Sequence, residues 1–475
     1  MILTIPGARR RLAVVLLLLL ILTACRTSST NTGTVVVPSV ATSPTMAVTT
    51  DTAGPIQAAF IDPVPSIFVK LVNSEPTTLD PALAYDLPSD EVIQNVMESL
   101  IALNRAGDGY VPALADTVPS LDNGLISADG LTYTFPVRRG VTFHDGGTLD
   151  PHDVAYSIRR GLLQSDPSGP QWLFIEPILG FASGDITEPI AGGSYAGDPE
   201  ALRANAAPED LLAVCQQVMR AVAVDDDAGT VTITLAQPWA PFLSLLPLLR
   251  VIDQEWAIAQ GDWSGECADW PEHYSPGPSA SPLHAVANGT GPYRLDHWTP
   301  GEEVVLEAFD GYWRTKETPL WEGGPYGPAR IPTIHIRIAP EWGTRLAALR
   351  SGDADYVEVQ FENQGQLDDL VGERCNFSTG ACIADPVRPD APLRKWEALP
   401  TVQRADIFMN LAVAPGSPYL GSGRLDGEGI PPDFFSDLKT RQAMATCFDY
   451  DTYNTDVLLG HGVRNNGPII SGMLG

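Results

Sequence analysis

Histidines and acids fall together twice in the 475-residue chain, at His144-Asp145 and at His152-Asp153. Imidazole beside carboxylate is the raw material of a transition-metal site. Turn and cap chemistry accounts for the same residues without a metal. His144-Asp145-Gly146-Gly147 reads as a strand end and turn, and Asp150-Pro151-His152-Asp153 opens a helix, with Asp150 as cap and Pro151 at the first helical position. Asp353 and Asp355 alternate on a turn and strand, the pattern of a solvated edge rather than of a glycosidase pair. Lys439-Thr440 follows Leu438 instead of a glycine-rich phosphate loop. The chain has no Gly-x-Ser-x-Gly, no His-Glu-x-x-His and no Cys-x-x-Cys. No catalytic residue, metal or cofactor is expected, and the chemistry to look for is non-covalent binding in an apolar cleft with a few inward polar groups.

Candidates for such a cleft are few. Tyr156 and Trp172 are either aromatic walls, which offer contact area at low entropic cost, or core residues. Glu75 stands between a strand and the rigid Pro76 loop, where a carboxylate suits a ligand ammonium or simply faces solvent. Asn288 to Gly291 offers backbone N–H groups to an anion or makes a hairpin turn.

The elements that must position these residues follow from local patterns. Ser66 to Val72 is a strand-forming run, followed by the loop Asn73 to Pro81. Ser89 reads as the cap of a helix whose apolar stripe is Val92, Ile93, Val96, Met97 and Leu100. Leu131 to Val137 alternates as a half-buried strand, and Val154, Ile158 and Leu162 stripe the helix after Asp150. Thr230 to Leu235 alternates again. Tyr293 to Leu295 and Val304 to Ala308 read as a hairpin. Ile331 to Ile338, a helix around Arg345 to Leu349 ended by Gly352, and Tyr356 to Val359 read as a βαβ unit with a parallel pairing. The fold expected is mixed α/β, with a boundary near residue 330.

Composition narrows the class. With 43 Gly, 42 Pro and 44% hydrophobic residues the chain is loop-rich but has a core. A formal charge of −29 excludes a general nucleic-acid binder. Arg9 to Arg11 precede an apolar run, Leu12 to Leu22, that spans only ~16 Å as a helix, too short for a ~30 Å hydrocarbon core. It has the length of a signal-peptide apolar region, and Leu22-Thr23-Ala24-Cys25 resembles the bacterial lipobox. That resemblance implies cleavage before Cys25 and lipid on its sulfur. Residues 1–24 are thus expected as signal peptide and 25–65 as a lipidated cysteine on a Thr/Ser/Pro tether. Outside the cell cysteines tend to pair, so Cys375 with Cys382 and Cys215 with Cys267 are the expected bridges. Cys447, in an apolar helix, is expected as a buried thiol.

Seven blocks then occur in a telling order: SEPTTLDPA, YTFPVRRGVTFHDGGTLDPHDVAYS, GTGPYRL, VVLEAFDGYWR, RLAALRSGDADYV, IFMNLAVAP and LKTRQAMATCFDYD. Together they resemble the extracytoplasmic solute-binding proteins of ABC transporters, in the subgroup that takes up peptides, nickel and some sugars. The resemblance implies a two-lobed fold of the type II periplasmic-binding-protein kind, lobe I over 66–330 and lobe II over 331–475, closing on its solute by a hinge. It implies a membrane permease and its ATPase subunits as partners, the membrane through the lipid anchor, and no nucleic acid. A monomer on the outer face of the cytoplasmic membrane, or in the periplasm, is expected, with oligopeptides as the leading solute. Glu75 matches a position where members carry an acid or polar group facing the cleft. Asn410 matches an asparagine near the crossover between lobes, where it braces the hinge or touches ligand. Members continue well past the block at Leu438 to Asp451, so lobe II is expected to be incomplete, either as a fragment or as a reduced lobe. The alternative classes are a secreted lipoprotein hydrolase and a sensory module docking on a receptor.

Overall fold

Residues 65–190, 195, 197–376, 379–397, 406–465 and 467 are described by the computed structural model. The expected signal peptide, Cys25 and the tether expected after it (to residue 65) lie outside them, apart from residue 65. The chain divides into a unit that ends at Gln360 and another that begins at Phe361.

The first unit opens with β1 (Ile67–Val72), whose last two residues are buried. Helix α1 (Leu87–Val96) follows, and its cap is Asp86 rather than Ser89. Pro88 is tolerated in a first turn, so the helix starts before Ser89. The Ser89 hydroxyl turns back instead to accept from Thr77 N at 2.9 Å, tying the loop after β1 to the helix. A short hairpin, β2 (Ile101–Leu103) and β3 (Tyr110–Pro112), leads to β4 (Thr132–Pro136), which alternates as its sequence does, with Tyr133 and Phe135 inward. Helix α2 (Pro151–Gln164) has the expected Asp150 cap, completed by Asp153 as a capping box, and buries Val154, Ile158 and Leu162. Helices α3 (Trp172–Leu179) and α4 (Pro208–Ala221) precede β5 (Val222–Asp225) and β6 (Thr230–Thr234). Strand β6 sits between β4 and β5 in an antiparallel sheet. Helix α5 (Gln254–Ala259) follows.

The remaining strands, β7 (Tyr293–Thr299), β8 (Glu303–Ala308), β9 (Thr333–Ile338) and β10 (Tyr356–Val357), join β1 in a five-stranded sheet of order β10-β1-β9-β8-β7. β7 and β8 are the expected hairpin. β9, helix α6 (Trp342–Ser351) and β10 form the expected crossover, but each strand pairs in parallel with β1, which lies between them. Strand β9 is therefore integral to the first unit, which runs past residue 330 to Gln360. Asp355 sits at the strand edge, accepting from Val69 N at 2.8 Å, as its alternation suggests. Phe135, Phe143, Phe174, Trp263 and Trp270 centre the main core, and a small second cluster of Leu71, Ala354 and Val357 lies with α6 on the other side of the sheet.

In the other unit, β11 (Val371–Asn376) is flanked by β12 (Cys382–Ala384) and β13 (Leu393–Glu397), antiparallel and parallel respectively. Helix α7 (Leu438–Cys447) buries none of its residues. Cys447 is exposed, contrary to the expectation of a buried thiol, on a helix whose apolar Leu438 and Met444 are exposed as well.

Candidate functional site

The loop Asn73 to Pro81 is held from below by buried charge. Asp80 and Arg160 of α2 form a two-pronged pair, Nη1 to Oδ1 at 2.8 Å and Nη2 to Oδ2 at 2.6 Å, and Arg160 Nε also donates to Asp262. Asp80 accepts further from Ala82 N and the Ser281 hydroxyl. Arg160 is 1% and Asp80 0% exposed. Burial alone would raise the Asp80 carboxyl, but the Arg160 guanidinium and these donors outweigh it and hold it below its ordinary value. At Asp262 burial prevails and its carboxyl is raised. Such a triad adds little net stability over an apolar replacement, yet losing one member strands the others. Its effect here is to fix where the loop's upper residues stand.

Glu75 is one of those. Its Oε2 accepts from Gly301 N at 2.7 Å, in the turn between β7 and β8, and the residue is half-exposed. Trp172, the first residue of α3, is 46% exposed. Tyr156 is a core residue and no wall: it is buried, stacks on Trp263 at 5.5 Å, and donates its hydroxyl to the Trp263 carbonyl at 2.7 Å. Asn410 belongs to the other unit, is exposed, and accepts from Ala412 N at 3.3 Å. The Asn288–Gly291 segment is tied inward: Thr290 is buried and its hydroxyl donates to Glu98 Oε2 at 3.0 Å.

A cleft of about 410 Å³ opens elsewhere in the first unit, lined by Asp116, Arg138, Arg139, Trp313, Thr315 and Thr318 among others. None of the four residues singled out for binding lines it. Behind its wall Glu98 accepts from Trp313 Nε1 at 2.5 Å, the Tyr312 hydroxyl at 3.1 Å and the Thr290 hydroxyl, with Arg314 Nε at 3.4 Å. The guanidiniums of Arg138 and Arg314 lie 4.7 and 4.3 Å from the Trp313 ring centroid. Burial pushes the Glu98 carboxyl up despite Arg314 and the three donors. None of the residues expected to bind belongs to this cluster. Its signal is Glu98 itself, a single acid inside the apolar run Val96 to Ile101, where an ionisable residue needs a partner.

The four residues weighed as metal ligands do not converge. His144 Nε2 lies 3.0 Å from the Gly291 carbonyl and its Nδ1 accepts from Gly289 N, while His152 pairs with Asp226 at 2.8 Å. Asp153 Oδ2 accepts from Asp150 N and Oδ1 from Gln254 N, so it closes two helix starts. Burial, with Asp150 and Asp253 nearby, raises its carboxyl to about 7 against those two N–H donors. Cys215 is bonded to Cys267 and Cys375 to Cys382.

Residues 109–475 match the model of the bacterial extracellular solute-binding proteins, family 5. The chain belongs to this family. It is 26% identical over 281 residues to the dipeptide-binding protein of Escherichia coli K12, covering 58% of this chain and 40% of that one. It is 25% identical over 298 residues to the glutathione-binding protein GsiB of Salmonella paratyphi A, covering 61% and 41%, and 27% identical over 288 residues to protein XP55 of Streptomyces lividans, covering 60% and 37%. The chain thus matches about two-fifths of the length of these relatives. Among solved structures, the peptide-bound periplasmic binding protein DppA of Helicobacter pylori aligns with a TM-score of 0.42 at 23% identity, over 65% of this chain and 49% of that one. The substrate-binding domain of an oligopeptide ABC transporter from Bacillus anthracis aligns at 0.43 and 21%, over 65% and 48%.

Proposed function

We propose that the protein captures oligopeptides, or a related small solute, outside the cell and delivers them to an ATP-driven membrane importer. The observation that carries this is the family match from residue 109 to 475. The named relatives that bind a dipeptide and glutathione support a peptide-like solute. Lipid on Cys25 would hold the protein at the membrane, with residues 26–65 as its tether. A partner permease and its ATPase, the partners that the family resemblance implies, would carry the solute across the membrane; no described helix is long and apolar enough to cross one. Binding is non-covalent, with affinity set by how far solute favours the closed over the open form. Glu75, Trp172 and Asn410 are our proposed solute contacts, the first through a carboxylate oriented toward a solute amino terminus. Tyr156, sealed in the core, is not among them.

Native mass spectrometry of the gently purified protein tests the reading. Bound masses spaced like amino-acid residues, displaced by an added di- or tripeptide, are expected. A single metal or sugar adduct that no peptide displaces would move the solute to another class. Retention of peptide by Glu75→Gln at unchanged affinity would remove Glu75 from the site.

A further inference from the structure

Arg345 of α6 is as deeply buried as Arg160, at 1% exposure, but the described hydrogen-bond partners of its guanidinium are all neutral oxygens. Nε donates to the Glu358 carbonyl at 3.0 Å, Nη1 to the carbonyls of Ala339 and, at 2.8 Å, Pro340, and Nη2 to the Gln360 side-chain oxygen. Ala339 and Pro340 directly follow β9, while Glu358 and Gln360 lie just past β10. One guanidinium thus joins the carboxyl ends of the two strands that flank β1. Those ends hold β1 in turn. Ala339 N donates to the Val72 carbonyl at 2.8 Å, and Glu358 Oε2 accepts from Asn73 N at 3.2 Å.

We propose that Arg345 is a positioning residue for solute binding, which sets the loop Asn73 to Pro81 from its first residue, through Ala339 and Glu358, without touching solute. The proposal rests on the solute-binding reading, in which Glu75 of this loop is a contact. Carbonyls at strand ends lack a ladder partner and need other donors. A planar guanidinium with five N–H groups can answer several at once in fixed directions, which a lysine ammonium cannot. In open α/β sheets the space beyond the carboxyl ends of the strands is where ligands bind, so the fork stands under the part of the sheet that matters most. The Arg160–Asp80 pair fixes the far end of the same loop. Residues 74–79 therefore span two buried arginine anchors, one bonded to carboxylates and the other to neutral oxygens. A loop ordered before solute arrives costs less conformational entropy on binding. Without the fork, Glu358 and Ala339 lose their common brace, and Asn73 loses its fixed acceptor.

Hydrogen–deuterium exchange of the intact protein, read from short overlapping peptides, tests the tie. Arg345→Met should speed exchange about tenfold over residues 73–77 and at Ala339, while Val304 to Leu306 in β8 keep their wild-type rates. Glu358→Ala, which removes only the carboxylate that Asn73 uses, should reproduce the change at residues 73–77 and spare Ala339. Arg345→Lys should lie closer to Arg345→Met than to wild type. Arg294→Gln, which alters an exposed arginine paired with Glu307 across the β7–β8 hairpin, should change neither segment. Calorimetric titration with trialanine should show about tenfold weaker binding by Arg345→Met. If Arg345→Met does not fold, Gln360→Ala and Glu358→Ala, at half-buried positions, carry the same comparison. Equal acceleration in the loop and in β8 would make Arg345 a packing residue and overturn the proposal. So would unchanged loop exchange in these variants, or a faster loop that binds trialanine as tightly as wild type. Failure of the wild type itself to bind trialanine would count against the peptide reading, and the exchange rates would still decide whether Arg345 sets the loop.

Discussion

Arg160 shows how far a single side chain can reach in this fold. It follows Arg159 on α2, and two adjacent arginines in a helix read as a solvated face. Arg159 indeed donates to the Val222 carbonyl from a half-buried position, whereas Arg160 is enclosed with Asp80 and Asp262. Those partners lie 80 and 102 residues away, so nothing in local spacing announces them. Arg160→Met should cost about 3–5 kcal/mol at neutral pH, because it leaves two buried carboxylates facing each other. Urea unfolding should show the deficit shrinking toward pH 5, as the stranded carboxyls take up protons. An equal deficit at both pH values would mean that packing, not charge, dominates at this position. Glu75 and Tyr156 teach the complementary lesson. Their residue types suit a binding site equally well, and only burial separates a loop acid at a hairpin turn from a tyrosine stacked in the core.

At the level of elements, short-range alternation and the Asp150 helix start were the most legible features of the chain, while the cap expected at Ser89 lies at Asp86. The Asp150-Pro151-His152-Asp153 helix start, the alternation of Thr132 to Pro136 and of Thr230 to Thr234, and the β7–β8 hairpin all lie where short-range patterns put them. The pairing of β1 between β9 and β10 was not legible, because partners more than 260 residues apart share no local signal. The same blindness set the boundary near residue 330 rather than beyond β10. Asp153 carries a consequence that only the assembled elements reveal. A carboxyl raised from 3.8 to about 7 keeps its proton in the folded chain while the unfolded chain releases it. Its contribution to stability therefore falls as pH rises from about 4 to about 7 and is level above that. Asp153→Asn retains an acceptor for one helix start and cannot ionise. It should gain a few kcal/mol on wild type between pH 5 and pH 8, given about 1.4 kcal/mol per pKa unit. Parallel thermal melts of the two proteins with unchanged separation would defeat this account. The Cys215–Cys267 bridge, which closes a loop of 52 residues, should contribute about 4 kcal/mol by restricting the unfolded chain. Non-reducing peptide mapping should recover it together with the Cys375–Cys382 link, and loss of either peptide pair would remove that bridge from the fold.

For the whole molecule, the dominant physical fact is its charge, 58 acidic against 29 basic side chains. A net charge of −29 acts on encounter before it acts on contact, because it draws cationic solutes toward the protein over distances that salt screens. If oligopeptides are the solute, a lysine-rich peptide should associate faster than a neutral one of equal length at low ionic strength. Stopped-flow tryptophan fluorescence should show its association rate constant falling steeply as salt rises through about 0.1 M, where the screening length is about 10 Å. Its dissociation rate constant should change little, because contacts within a closed site are shielded from the solvent ions. The neutral peptide is the control that separates steering from a general effect of salt on binding. Equal salt slopes for the two peptides would assign the effect to salt in general and leave the acidic surface a matter of solubility alone. A steep slope for the cationic peptide only would make the charge part of solute selection, a property spread over the surface that no single named residue carries.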